Sequence, residues 1–143
     1  MRMEHTDRLA PALASLGERP WFVDTADASR VLDEFRAQQC EIKELDAQGM
    51  DEEALLTELG VLLGFDEGHG ENWGAFNDRY QAFVTAGDTP VVLAIRGFDA
   101  WNRTDFRRFF QTVYELESVT ELYADCYRVA TRKVVNLYIG DWG

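Results

Sequence analysis

The side chains with the greatest capacity for chemistry lie between Asp66 and Asp78: Asp66, Glu67, His69, Glu71 and Asp78, with glycines at Gly64, Gly68, Gly70 and Gly74. Enzymatic signals among them are poor. Gly68-His69-Gly70 is not followed by the Gly-Lys-Ser/Thr of a phosphate loop. A calcium loop starting at Asp66 would have Gly68 and Gly70 at its third and fifth positions and no closing Glu. His69 beside three acids has no second His or Cys nearby to complete a metal site, and His5 is the only other histidine. Ser15, Ser29 and Ser118 lie in no nucleophile context. The expectation is a protein that is not an enzyme and carries no cofactor or metal. What remains is charge. Acids on a short loop and the helix after it attract a cationic partner.

The charge distribution reinforces that reading. The 143 residues carry 26 acids and 14 bases, a net charge of −12. Eleven of those acids and a single base, Lys43, fall between Glu41 and Asp78. A general solubility effect would not confine the excess to one segment. A field of this sign repels nucleic acid and steers basic proteins toward it. Length and an apolar fraction of 46% fit a globular chain with a sizeable core. There is no apolar run of the ~20 residues that span a bilayer, and no secretory leader pattern precedes the first helical stretch. The expected location is cytoplasmic, with Cys40 and Cys126 as two reduced thiols.

Several elements must position the acidic stretch. Trp73, Phe76, Tyr80 and Phe83 recur at helical spacing and form the inward stripe of a helix capped by Asn72 and running to about residue 85. Asp78 then points away from the core, with Glu71, Gly74, Ala75 and Ala82 around it. The helix before it starts at the N-cap Asp51. Glu52 and Glu53 sit in its first turn, Leu55, Leu56, Leu59, Leu62 and Leu63 face inward, and Gly64 ends it in the left-handed conformation. Strands are expected at 40–45, 91–95 and 133–139. The second is apolar at both parities, as in a parallel sheet covered on both sides. Residues 98–102 read as a turn. Thr104 is the expected cap of a helix with Phe106, Phe109, Phe110, Val113 and Leu116 inward, followed after a break near Ser118 by a helical pattern to about residue 130. Arg103, Arg107 and Arg108 read as a solvated face. Upstream, 7–16 reads as a short helix and 21–23 as a strand. A further helix is capped by Thr25 or Asp27 and buries Val31, Leu32 and Phe35. Strands alternating with helices define an α/β layer. The expected organisation is an extension over 1–39 packed on a domain over 40–143.

Leu62-Leu63-Gly64-Phe65 followed by Gly70-Glu71-Asn72-Trp73-Gly74-Ala75-Phe76-Asn77-Asp78 resembles the signature of the barstar family, intracellular protein inhibitors of secreted ribonucleases such as barnase. The resemblance covers roughly 40–139. It implies a barstar-like α/β fold with a small three-stranded parallel sheet, here with an N-terminal strand-helix extension. It also implies a loop and helix that block the active site of a basic ribonuclease or related toxin. Asp78 matches the principal inhibitory aspartate. Gly70, Asn72 and Gly74 shape the surface, Asp66, Glu67 and Glu71 supply the steering field, His69 and Asn77 lie at the rim, and Gly68 belongs to the same partner-binding stretch. The family pattern has a second aspartate where this chain has Gly74, and aromatics where it has Gly68 and His69. The resemblance implies an antitoxin or immunity protein. No nucleic acid or membrane is expected to bind directly, and a monomer is expected although the sequence does not fix the oligomeric state. The alternative is the same fold serving as an interaction or regulatory module for a partner other than a ribonuclease.

Overall fold

The strand Val91–Arg96 (β3) has all five residues from Val91 to Ile95 fully buried, so both of its faces are covered. The structure, a computed structural model, describes residues 12–14, 16–65 and 72–143. Around β3 the chain forms a four-stranded, all-parallel sheet in the order β1-β4-β3-β2. The partners are Trp21–Asp24 (β1), Glu41–Asp46 (β2) and Val134–Gly140 (β4). The α/β expectation therefore holds, but three strands is one too few. The strand of the N-terminal segment joins the sheet at its edge, with Trp21 opposite Leu137.

The helices divide between the two faces. Ala28–Ala37 (α1) buries Val31, Leu32 and Phe35 against Val92, Ala94, Val135, Leu137 and Ile139. Leu13 and Leu16 pack at the margin of that core, and residues 12–14 are helical; the rest of the helix expected over 7–16 lies outside the described residues, apart from Leu16. The opposite face presents Leu93, Ile95, Val134 and Tyr138 to Glu52–Leu63 (α2), Trp73–Thr85 (α3), Phe98–Thr104 (α4) and Phe106–Glu121 (α5). None of the described helices is long and apolar enough to cross a membrane. Cys40 is buried and Cys126 exposed, without a disulfide between them.

Local signals placed several helix ends correctly. The Asp51 carboxylate accepts the Ala54 amide at 2.8 Å, and α2 ends at Gly64 with φ of 79°, where only glycine is unstrained. Four of the five expected leucines are buried, with Leu62 half-buried against the same core.

Other expectations fail for tertiary reasons. Asp27 occupies the N-cap of α1 but makes no capping bond, because a 3₁₀ turn over Thr25–Asp27 precedes the helix. The expected turn at 98–102 is helical: α4 follows Gly97, whose φ is 95°, and is pinned by buried Trp101, whose indole donates to the Ala47 carbonyl at 3.0 Å. Asp105, not Thr104, caps α5 by accepting the Arg108 amide at 3.1 Å, while the Thr104 hydroxyl turns back to the Ala100 carbonyl. No break occurs at Ser118. The helix runs to Glu121 and then widens into a π turn over Leu122–Cys126, with the Tyr127 amide bonded to the Leu122 carbonyl at 2.8 Å. Arg128, with φ of 55°, lies beyond that turn, so the helical pattern stops short of 130. Phe106 and Phe110 are 62% and 59% exposed, because Phe109, Thr112, Val113 and Leu116 set the inward phase of α5.

One half-buried carboxylate joins the layers. Glu117 on α5 accepts from the Tyr138 hydroxyl at 2.7 Å and from the Asn136 amide at 3.1 Å, and pairs with Arg19 at 3.4 Å. Asn136 also donates to Thr120 at 2.9 Å, and the Thr120 hydroxyl contacts the Tyr80 phenol at 3.2 Å. Burial, reinforced by the Glu117 charge, pushes the Tyr138 phenol well above its ordinary value. Burial also raises Tyr80, against the opposing hydrogen bond from Thr120.

Two predictions follow from this architecture. A chain started at residue 40 leaves Val92, Val135, Leu137 and Ile139 without cover. At about 1.5–3 kcal/mol per apolar side chain, the loss is roughly 6–12 kcal/mol, which equals the whole stability of a typical domain at about 5–15 kcal/mol. The truncated chain is expected to lack a cooperative thermal transition by circular dichroism. The raised phenols contribute stability that is complete below the unfolded tyrosine value near 10 and is lost as pH climbs toward the higher folded values. Urea melts above pH 10 should show stability falling by about 1.4 kcal/mol per pH unit for each such phenol, and Tyr80→Phe should remove one phenol's share of that slope.

Candidate functional site

Helix α3 starts where the Asn72 carboxamide oxygen accepts the Ala75 amide at 2.9 Å, as its spacing predicts. Phe76 and Tyr80 are buried at 0% and 1%, and Trp73 and Phe83 are half-buried at the flanks of the same stripe. The rings form a continuous ladder. Phe76 lies 5.4 Å from Phe65, 5.5 Å from Trp73 and 5.9 Å from Tyr80, and Tyr80 lies 6.2 Å from Tyr123. Such pairs stabilise by about 0.5–1.5 kcal/mol each beyond area burial. With this face fixed, Asp78 is held outward and exposed, as expected from the helical phase. Gly74 is exposed one turn earlier, and exposed Arg79 stands beside Asp78.

Asn77 is less available than a rim residue would be. Its side-chain oxygen accepts from the Tyr123 hydroxyl at 2.9 Å, which ties α3 to the π turn. The Tyr123 phenol is raised by burial first and by the charge of Asp78 second. Asp78 therefore lies close enough to Tyr123 to act on it electrostatically while remaining exposed.

A groove lies beside α3, between it and α5. It has a volume of about 360 Å³ and is walled by Trp73, Gly74 and Asn77 on α3, with Glu115, Ser118 and Leu122 opposite. Sharing Trp73 and Glu115, it continues into a second hollow of about 510 Å³ lined by Glu52, Phe110, Gln111 and Tyr114. A side chain at Gly74 would bring its Cβ to 3.1 Å from the Asn72 capping oxygen, so the glycine keeps both the groove wall low and the cap undisturbed.

Of the residues singled out in the sequence, Asn72 caps α3, Gly74 and Asp78 are exposed on it, and Asn77 is half-buried on the side facing Tyr123. Asp66, Glu67, Gly68, His69, Gly70 and Glu71 lie outside the described residues. Glu115, Ser118, Phe110 and Tyr114 were not anticipated. The exposed phase of α5 was the signal for them, but it was masked by the assignment of Phe106 and Phe110 to the core. Among the described residues, no group of three or more His, Cys, Asp and Glu side chains is placed to hold a metal ion.

Scans of the chain against family models, curated proteins and solved structures find no match.

The N-cap is the most direct local test of how the surface is held. Asn72→Ala is expected to cost about 1 kcal/mol of unfolding free energy, read as a lower urea midpoint at unchanged slope, while Asn72→Asp retains most of the stability.

Proposed function

We propose that this chain is a barstar-like inhibitor that occupies the active site of a basic ribonuclease or related toxin with the outer face of α3 and the acidic loop before it. The observation that carries the reading is the outward, exposed placement of Asp78 on a helix whose other face is locked by buried rings. An aspartate held this way needs no reorganisation to meet a cationic active site. The order of elements from β2 to β4, with β3 central between them, agrees with the arrangement that the resemblance implies. Asp78 serves as the charged anchor. Asp66, Glu67 and Glu71 steer the partner, and Asn72 and Gly74 set the shape of the backbone.

Gly74 favours a second reading, in which the same fold serves as an interaction or regulatory module for a protein other than a ribonuclease. It is exposed and removes the carboxylate that the family pattern places there. Mapping the contact surface on the bound protein separates the two, because a partner seated away from α3 supports only the second.

The test is inhibition of RNA cleavage by a basic, barnase-type ribonuclease, and capture of the partner from the native host. Inhibition with an association rate that falls as salt rises is expected, since encounter is electrostatic. Asp78→Ala should weaken binding by about 2–5 kcal/mol, chiefly through faster dissociation; a loss of that size is what the family resemblance implies. Unchanged affinity of Asp78→Ala for the natural partner removes the proposal.

A further inference from the structure

Outside the acidic surface, the largest unexplained feature is the solvent side of α5. Phe110 and Tyr114, one helical turn apart, are 59% and 63% exposed. Large apolar side chains clustered on a solvent face mark an interaction surface. The charges on this face are of both signs and are placed symmetrically. Exposed Arg107 lies seven residues before Tyr114, and Glu121, with 57% of its side chain exposed, lies seven residues after it. At 1.5 Å rise per residue each sits about 10 Å from Tyr114 along the axis, on the same side of the helix. Ser118 lies four residues after Tyr114 and Phe110 four before it. Ser118 also lines the groove of about 360 Å³ beside α3.

We propose that the chain forms a two-fold symmetric dimer through α5, with the two copies antiparallel and Tyr114 at the axis. In this register Arg107 of each copy faces Glu121 of the other, and Phe110 of each lies level with the small Ser118 of the other. A two-fold interface must be self-complementary, with each patch meeting its own copy in reverse. A helix face with a base and an acid equidistant from a central aromatic meets that condition. A second copy in this orientation supplies an acid opposite Arg107 and a base opposite Glu121, so its charges match at both ends. Glu121 already pairs with Arg19 at 2.9 Å. A carboxylate accepts more than one cationic donor, so this pair does not block the contact. The dimer does not depend on the inhibitor reading.

The register can be tested by charge exchange. Sedimentation velocity on the full chain at tens of micromolar is expected to give a dimer. Arg107→Glu places acid against acid at both contacts and should give a monomer. Glu121→Arg places base against base and should do the same. An equimolar mixture of these two variants restores an opposite-sign pair at both contacts and should recover the dimer mass. A monomeric wild type, a dimeric Arg107→Glu, or a mixture of folded variants that stays monomeric each overturns the proposal. Should Glu121→Arg fail to fold through loss of its Arg19 contact, Phe110→Ala decides. It should weaken self-association at least about tenfold, and an unchanged dissociation constant overturns the proposal.

Discussion

A parallel sheet has to be covered on both faces, and in this protein almost every other element follows from that requirement. From Val92 to Ile95 the buried residues of β3 alternate between two cores, so neither side of the strand tolerates water. The helices after β2 cover one side. Among the described residues no helix downstream of β2 covers the other; that role falls to the N-terminal segment, through α1, with Trp21 and Val23 of β1 joining the same core. The segment that looks like a prefix in the sequence is thus half of the enclosure. It also contributes Arg19, which reaches Glu117, Glu121 and Asp125 across the end of the opposite layer.

The polar centre around Glu117 connects that enclosure to the acidic surface. A half-buried carboxylate is costly to desolvate unless its lone pairs are taken up. Here a phenol, a carboxamide and a guanidinium take them. Through Asn136 and Thr120 the same network reaches Tyr80, whose ring belongs to the ladder that sets the orientation of α3. Asp78 owes its fixed outward direction to this packing, and Asn77 to its bond with Tyr123. The backbone of α3 is consequently held by packing on one face, which lowers the ordering cost for a partner that binds the other.

What was legible in the sequence was local. Asp51, Gly64 and Asn72 declare helix ends because capping depends on residues within one turn, and the stripe from Trp73 to Phe83 has no competing phase. In α5 two apolar phases overlap, since Phe106 and Phe110 flank Phe109 and Val113, and only the position of the sheet decides which is inward. The helix over Phe98–Thr104 was hidden for a similar reason. It is short and held by a bond from Trp101 to Ala47 more than fifty residues away. The pairing of β1 had no local signal, because its partner residues lie more than a hundred positions downstream. At the candidate site, the helix could be read from spacing. The opposite wall, Glu115 and Ser118, could not, because it depends on how α5 lies against α3.

The position of β4 has a consequence for how the chain acquires its structure. The last strand in sequence is an interior strand of the sheet, lying between β1 and β3. During synthesis β1 has no edge to pair with until residues 137–140 have been made, and until then the apolar face of α1 lacks much of its floor. Contacts of such sequence separation carry a large loop-closure cost and form slowly. While the ribosome is still adding β4, the nascent chain can build β2, α2, α3 and β3, but it cannot finish the enclosure. Completion of the sheet therefore waits for β4, and until then its unfinished apolar faces expose the nascent chain to aggregation.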